Sequence, residues 1–375
     1  MADRFDYRIA DSQGTEVEPI DPAKFDLDKY ADYAARLDET SRAFWDGDSG
    51  VAVYRRVRVP AVFSFGCRDT KLSLSLQLAG LNRSMDYAAD VANFLEPWYG
   101  IGTVAASFGA QYEWPDGQAP AVKQLFSTVD EALAAEPIPV EQTDIGAKTL
   151  EMIEQFLDVT EGRIPMSLCD VQSPLNVAAG MIDNNDFFMA LLDNPDRVQT
   201  LLDRIADLLI AFTRKQVQLI GDALARPGHG FASSRAFDGM GMSDDTIVML
   251  SGEQYRQIAT ASLVKVGKAF GGPVFHSCGD WSSKTDVITA IDGLVMADGA
   301  FSEQTDPGAN PPEPFGEAFA STGICLNARV VGDEQLVIEK FRNLCTPGLK
   351  IILVTYCDDP AAQQRIYDAV HAETS

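Results

Sequence analysis

Two apolar runs of this chain end on soft metal ligands. Pro273-Val274-Phe275 delivers His276, Ser277 and Cys278 into a turn at Gly279, and residues 351–356 deliver Cys357. If both runs are strands of one sheet, an imidazole nitrogen and two thiolate sulfurs meet at one end of it, which is a donor set for tetrahedral zinc. The chemistry such a site supports is on sulfur. A free thiol with a pKa near about 8.5 is a poor nucleophile at neutral pH, whereas a coordinated one is deprotonated and held in place. The competing reading is a packed histidine beside a core cysteine. Cys325, inside its run, and Cys345, beside Leu344 at a helix end, are rival third ligands.

The elements that must position these groups alternate from about residue 57 onward. Asn194-Pro195 opens a helix whose Val198, Leu201, Leu202, Ile205, Leu208, Leu209 and Phe212 recur at helical spacing. Ser251 with Gln254 makes a capping box, and Asp333 caps a helix carrying Leu336 and Phe341. Between helices lie short apolar runs at 59–65, 164–168, 231–237, 273–275, 293–296, 324–326 and 350–356. Near-continuous apolar strands alternating with helices predict a parallel sheet covered on both faces, with functional groups where strands end.

Those endings are polar. Asp170 and Glu303 are the candidate catalytic carboxylates, with Asp306 nearby in sequence; Arg235 and Arg329 are candidates for binding an anionic substrate group, and Asp238 is a further substrate-binding candidate lining the cleft. Of the three histidines, His276 is the one expected at the site. His229, at the start of a run, belongs at the opposite end of the barrel, and His371 falls in a terminal helix. The proline- and glycine-rich loop 305–314 is expected to be a mobile element over the cleft. Residues 1–50 form an acidic arm and 51–375 one barrel-like domain.

Composition narrows the partners. Thirty Lys and Arg against 55 Asp and Glu give a formal charge of −25, which repels nucleic-acid backbones and anionic lipid surfaces. The opening residues lack an export signal, and no apolar run reaches the roughly 20 residues of a membrane span, so a cytoplasmic protein with reduced thiols is expected.

The segments Asp193-Asn194-Pro195, Ser243-Asp244-Asp245, Leu250-Ser251-Gly252-Glu253-Gln254-Tyr255-Arg256 and Phe275-His276-Ser277-Cys278-Gly279-Asp280 resemble the uroporphyrinogen decarboxylase superfamily. The likeness extends through Gln172-Ser173-Pro174-Leu175-Asn176, Leu326-Asn327-Ala328-Arg329 and Tyr356-Cys357. It implies a single (β/α)8 TIM-like barrel with its cleft at the carboxyl ends of the strands. Decarboxylases of the superfamily carry an Arg-Gln-Ala-Gly-Arg segment after the first strand. The corresponding stretch here is expected at Phe63-Ser64-Phe65-Gly66-Cys67-Arg68-Asp69, with one arginine. The corrinoid methyltransferase branch instead shows histidine, one residue, cysteine and a distant cysteine as zinc ligands, which transfers to His276, Cys278 and Cys357. The resemblance therefore implies zinc-dependent methyl transfer between a corrinoid and a small thiol. The sequence shows no Asp-x-His-x-x-Gly motif, so cobalamin is expected from a partner such as a corrinoid carrier protein. A tetrapyrrole decarboxylase and a non-catalytic corrinoid-binding barrel are the alternatives, and pairing into a homodimer is left open.

Overall fold

The computed structural model describes residues 14–115 and 118–373. Six strands, β1 (Gly50–Arg55), β2 (Met240–Ser243), β3 (Pro273–His276), β4 (Met296–Ala300), β5 (Cys325–Val330) and β6 (Lys350–Thr355), form one parallel sheet in the order β1-β6-β5-β4-β3-β2. Two further positions are extended segments rather than ladders. Asp90 N donates to Val53 O of β1 at 2.8 Å. Isolated parallel bridges then join Leu95 to Met166, Met166 to Leu224, and Gln172 to Ser243 of β2. The strand positions thus follow one another around a TIM-like α/β barrel, with helices such as Pro195–Ile220, Gly252–Ile258, Glu334–Leu344 and Pro360–Ala372 outside.

Strand periodicity divides the side chains between two cores. Phe275, Ala297, Leu326, Ala328, Ile351 and Leu353 face the helices. Val274, Met296, Cys325, Ile352, Ala52 and Tyr54 pack inside the barrel. Two residues further along β3, β4 and β5, the same inner face carries His276, Asp298 and Asn327, which the register sets side by side. An apolar floor therefore supports a polar layer.

Several sequence expectations are corrected here. Residues 59–65 are not the first strand; Pro60–Phe63 is a 3-10 turn, as Pro60 at its start favours. The first strand is Gly50–Arg55, so the residues that follow it are Arg56-Val57-Arg58, and the single-arginine comparison used the wrong stretch. Residues 231–237 are not a strand either. One barrel position is split between Leu224, which bridges Met166, and β2, and residues 227–239 leave the wall between them. Phe231, Ala232 and Phe237 of this excursion pack in the inner core.

The excursion lies against Gly241, where a Cβ would stand 2.4 Å from the Phe231 ring. Gly241→Ala is therefore expected to cost about 1–3 kcal/mol through overpacking, read as a lower urea midpoint at unchanged slope.

Candidate functional site

The turn after β3 is where soft ligands and carboxylates meet. His276 ends β3 and Gly279, at φ +78, allows the chain to reverse just past Cys278. β2 runs parallel to β3 and ends one residue before Asp244, whose backbone N–H donates to His276 O at 2.7 Å. That bond sets Asp245 beside the turn. Asp245 Oδ1 accepts from Cys278 N at 2.7 Å, and its other oxygen accepts from Asn176 Nδ2 at 3.2 Å. Ligand atoms of Asp245, His276 and Cys278 lie within 4.8 Å of one another.

These donors fit zinc. His276 Nε2 is 3.6 Å from Cys278 Sγ, and bonds of about 2.0–2.1 Å to nitrogen and about 2.3 Å to sulfur at a tetrahedral angle put the two atoms about 3.6 Å apart. Nε2 is 3.8 Å from Asp245 Oδ1. The other ring nitrogen, Nδ1, is held by Asp298 Oδ2 at 2.5 Å, the carboxylate-to-histidine arrangement that orients a metal ligand.

Asp298 is itself buried, as are Asn327 and Arg329. Asn327 Nδ2 donates to Asp298 Oδ1, and Arg329 Nε donates to Oδ2 at 2.9 Å. Burial alone would raise the Asp298 carboxyl, but the Arg329 guanidinium and then the His276 imidazole outweigh it and hold it below its ordinary range. For His276 burial would lower the pKa, and Asp298 overrides this and raises it well above the usual value. Arg329 Nη2 is buried without a hydrogen-bond partner in the protein among the described residues.

Cys357 does not join the group. It follows β6 at the same end of the barrel, but Arg55 Nε binds its carbonyl at 2.6 Å, and its Sγ donates to Asp359 O at 3.5 Å. The third potential ligand atom beside His276 and Cys278 is a carboxylate oxygen of Asp245. Cys325 is buried inside β5 and Cys345 is at a helix end, away from the group. Glu303 is exposed on the loop after β4. The loop 305–314 is pinned rather than free: Asp306 accepts from Gly279 N at 2.9 Å and Asn310 Oδ1 from Trp281 N at 2.9 Å.

The excursion rearranges the other candidates. Arg235 pairs with Asp38 at 2.7 Å and Asp238 with Arg226, both at the amino ends of the strands, where Gly271 before β3 abuts Asp238. Neither Arg235 nor Asp238 reaches the cleft. His229 does, contrary to its expected place: its Nδ1 meets Glu96 Oε2, and its Nε2 lies 3.4 Å from Asp170 Oδ2. Asp170 also accepts from Trp98 Nε1 at 3.0 Å, and Glu96 pairs with Arg56 at 3.4 Å. Arg56, Glu96 and Asp170 all follow strand positions at their carboxyl ends. Phe231 carries the excursion past the Asp245, His276 and Cys278 cluster, its ring 6.1 Å from that of His276.

Sequence reasoning missed Asp245, Asp298 and Glu96. Asp298 left a signal, an acid inside the apolar run 294–301 two residues beyond an inward-facing methionine. Burial would raise Glu96, yet Arg56 and then His229 bring it down to about 2 from an ordinary 4.5. A depressed carboxyl stabilises the fold above the unfolded pKa and loses that contribution as pH falls toward the folded one. Between about pH 4.5 and 2 the wild type should accordingly lose more stability than Glu96→Gln, measured by urea unfolding across pH. Removing the hub is a harsher change: Asp298→Ala leaves the buried Arg329 guanidinium and His276 Nδ1 without their shared carboxylate and is expected to cost about 3–5 kcal/mol, read in the same unfolding experiment at neutral pH.

Residues 49–297 match the uroporphyrinogen decarboxylase (URO-D) family. Two similar proteins, both named uroporphyrinogen decarboxylase, come from Pseudomonas savastanoi pv. phaseolicola, 27% identical over 220 residues, and Pseudomonas syringae pv. tomato, 26% identical over 220 residues. Each match takes in 57% of this chain and 55% of the relative, so the chain spans about half the length of these curated relatives. Among solved structures, a methyltransferase from Methanosarcina mazei shares the fold at a TM-score of 0.63 with 15% identity, over 90% of this chain and 98% of that one. Among the described residues no helix is long and apolar enough to cross a membrane.

Proposed function

The chain belongs to the uroporphyrinogen decarboxylase (URO-D) family, and from that premise we propose that it is a zinc-dependent methyltransferase moving a methyl group between a corrinoid and a small thiol. The observation that carries this reading is the convergence of Asp245, His276 and Cys278 around one point, with His276 locked from behind by Asp298. Three protein ligands leave a position open for substrate, as in catalytic rather than structural zinc sites. The chemistry that zinc supplies when bound is deprotonation and orientation of the substrate thiol.

The protein's own residues do the remaining work. Asp298 fixes the imidazole tautomer, leaving Nε2 as the ligand atom. Asn176 and the Cys278 backbone N–H orient the Asp245 carboxylate. Arg329 Nη2, buried and unpartnered, is a donor for an acidic group on the thiol, such as a carboxylate, sulfonate or phosphate. Asp170 lines the same end of the barrel, and Glu303 stands exposed on its rim. The corrinoid would come from a partner, a carrier protein or free cobalamin. The fold shared with a protein named methyltransferase agrees with this reading.

A second reading is favoured by the position of Arg56 and Arg58 directly after β1, where a tetrapyrrole decarboxylase carries its guanidinium groups for carboxylates, although Arg56 is buried against Glu96 here. Metal dependence separates the two. On the methyltransferase reading, the purified chain carries about one zinc, lost in His276→Ala, Cys278→Ser and Asp245→Ala and kept in Cys357→Ser, by metal analysis of each variant. Zinc-loaded protein then methylates 3-mercaptopropionate from methylcobalamin. Turnover of uroporphyrinogen by the metal-free chain would decide for the decarboxylase instead.

A further inference from the structure

Methylation of a thiol releases a proton, and the metal group has no evident place to put it. His276 is engaged at Nδ1 by Asp298, and its Nε2 faces Cys278 and Asp245. His371 lies on the terminal helix Pro360–Ala372, bound to Asp90 at 3.0 Å. The chain has three histidines in all. The third, His229, is carried into the barrel mouth by the excursion 227–239.

Its surroundings are those of an oriented proton acceptor. A buried carboxylate, Glu96, holds Nδ1 and is itself anchored by Arg56. Phe63 and Trp98 flank the ring, with centroids 5.3 and 6.5 Å away. Nε2 points to the side where Asp170 Oδ2 stands at 3.4 Å. A base oriented through one nitrogen by a buried acid, with a second carboxylate beside the other nitrogen to offset the charge it gains, is an arrangement suited to general-base catalysis. The charged groups facing the ring are Glu96 and Asp170, with Arg56 behind Glu96.

We propose that His229, supported by Glu96 and Asp170, accepts the proton that the substrate thiol loses during methyl transfer; this rests on the methyltransferase reading above. The S–H bond breaks and its proton moves to His229 Nε2, directly or through one water. The sulfur keeps that electron pair and forms the bond to the methyl carbon, while the corrinoid methyl donor keeps the pair of the bond that breaks. Asp170 Oδ2 stabilises the positive charge gained by the ring, and the proton then passes to solvent.

The test uses the zinc-loaded full chain with methylcobalamin and 3-mercaptopropionate. His229→Gln is expected to lower kcat/KM by about 10²- to 10⁴-fold, to keep zinc content and melting behaviour, and to lose the acid limb of the pH profile. Free imidazole is expected to restore part of the rate to His229→Gly, which a purely structural role would not produce. A His229→Gln enzyme with the wild-type rate and pH profile overturns this inference alone. A zinc-loaded wild type that neither binds the thiol nor makes methyl product overturns the methyltransferase reading and the inference with it. If His229→Gln fails to fold, Glu96→Gln serves: an unchanged pH profile in that variant overturns the proposal.

Discussion

The arrangement of this barrel turns on one buried carboxylate. Asp298 meets a histidine, an asparagine and an arginine inside the barrel, each delivered by strand periodicity from one of the two strands that flank β4. An isolated ion at that depth would be unaffordable, and only the combined hydrogen bonds and opposite charges make it stable. The same carboxylate fixes the imidazole that the candidate metal site uses. Stability of the interior and geometry of the site are therefore one problem, solved by one side chain.

How much of this could be read in the residues follows from where the information lies. His276 and Cys278 were legible because a short apolar strand running into a glycine turn fixes where its last side chains emerge. Cys357 was legible as a strand ending but not as a direction. Its sulfur is turned to the Asp359 carbonyl, while Arg55, some three hundred positions away, holds its backbone carbonyl. Asp245 was hidden because β2, Met240-Gly241-Met242-Ser243, is short and broken by glycine. Its acid matters only once β2 is known to lie beside β3. The barrel itself was readable from the alternation of helices with apolar runs, yet its first strand was not: Val51-Ala52-Val53-Tyr54 is as continuously apolar as residues 351–354 of β6, but the run 59–65 just after it looks equally strand-like and competes for the same place.

The excursion at 227–239 shows the limit most clearly. Phe231 to Phe237 looks like a strand because it is made of residues that belong in a core, and it is indeed in a core, but inside the barrel rather than in its wall. Composition reports burial, and burial alone does not separate a wall from a plug. That misplacement reversed the expected ends for His229 on one side and for Arg235 and Asp238 on the other.

The pairing of β1 with β6 has a consequence for how the chain reaches this state. Gly50 lies opposite Lys350, and the register continues to Arg55 opposite Thr355. The ring therefore closes through a contact that spans most of the polypeptide, and the entropy of that loop is lost before the closing hydrogen bonds form. During synthesis the first strand must wait for the last one, its edge exposed until residues 350–355 have left the ribosome. Burial of Asp298 by its arginine partner on β5 comes just before that final step in chain order, so the interior charge is already neutralised when the barrel shuts.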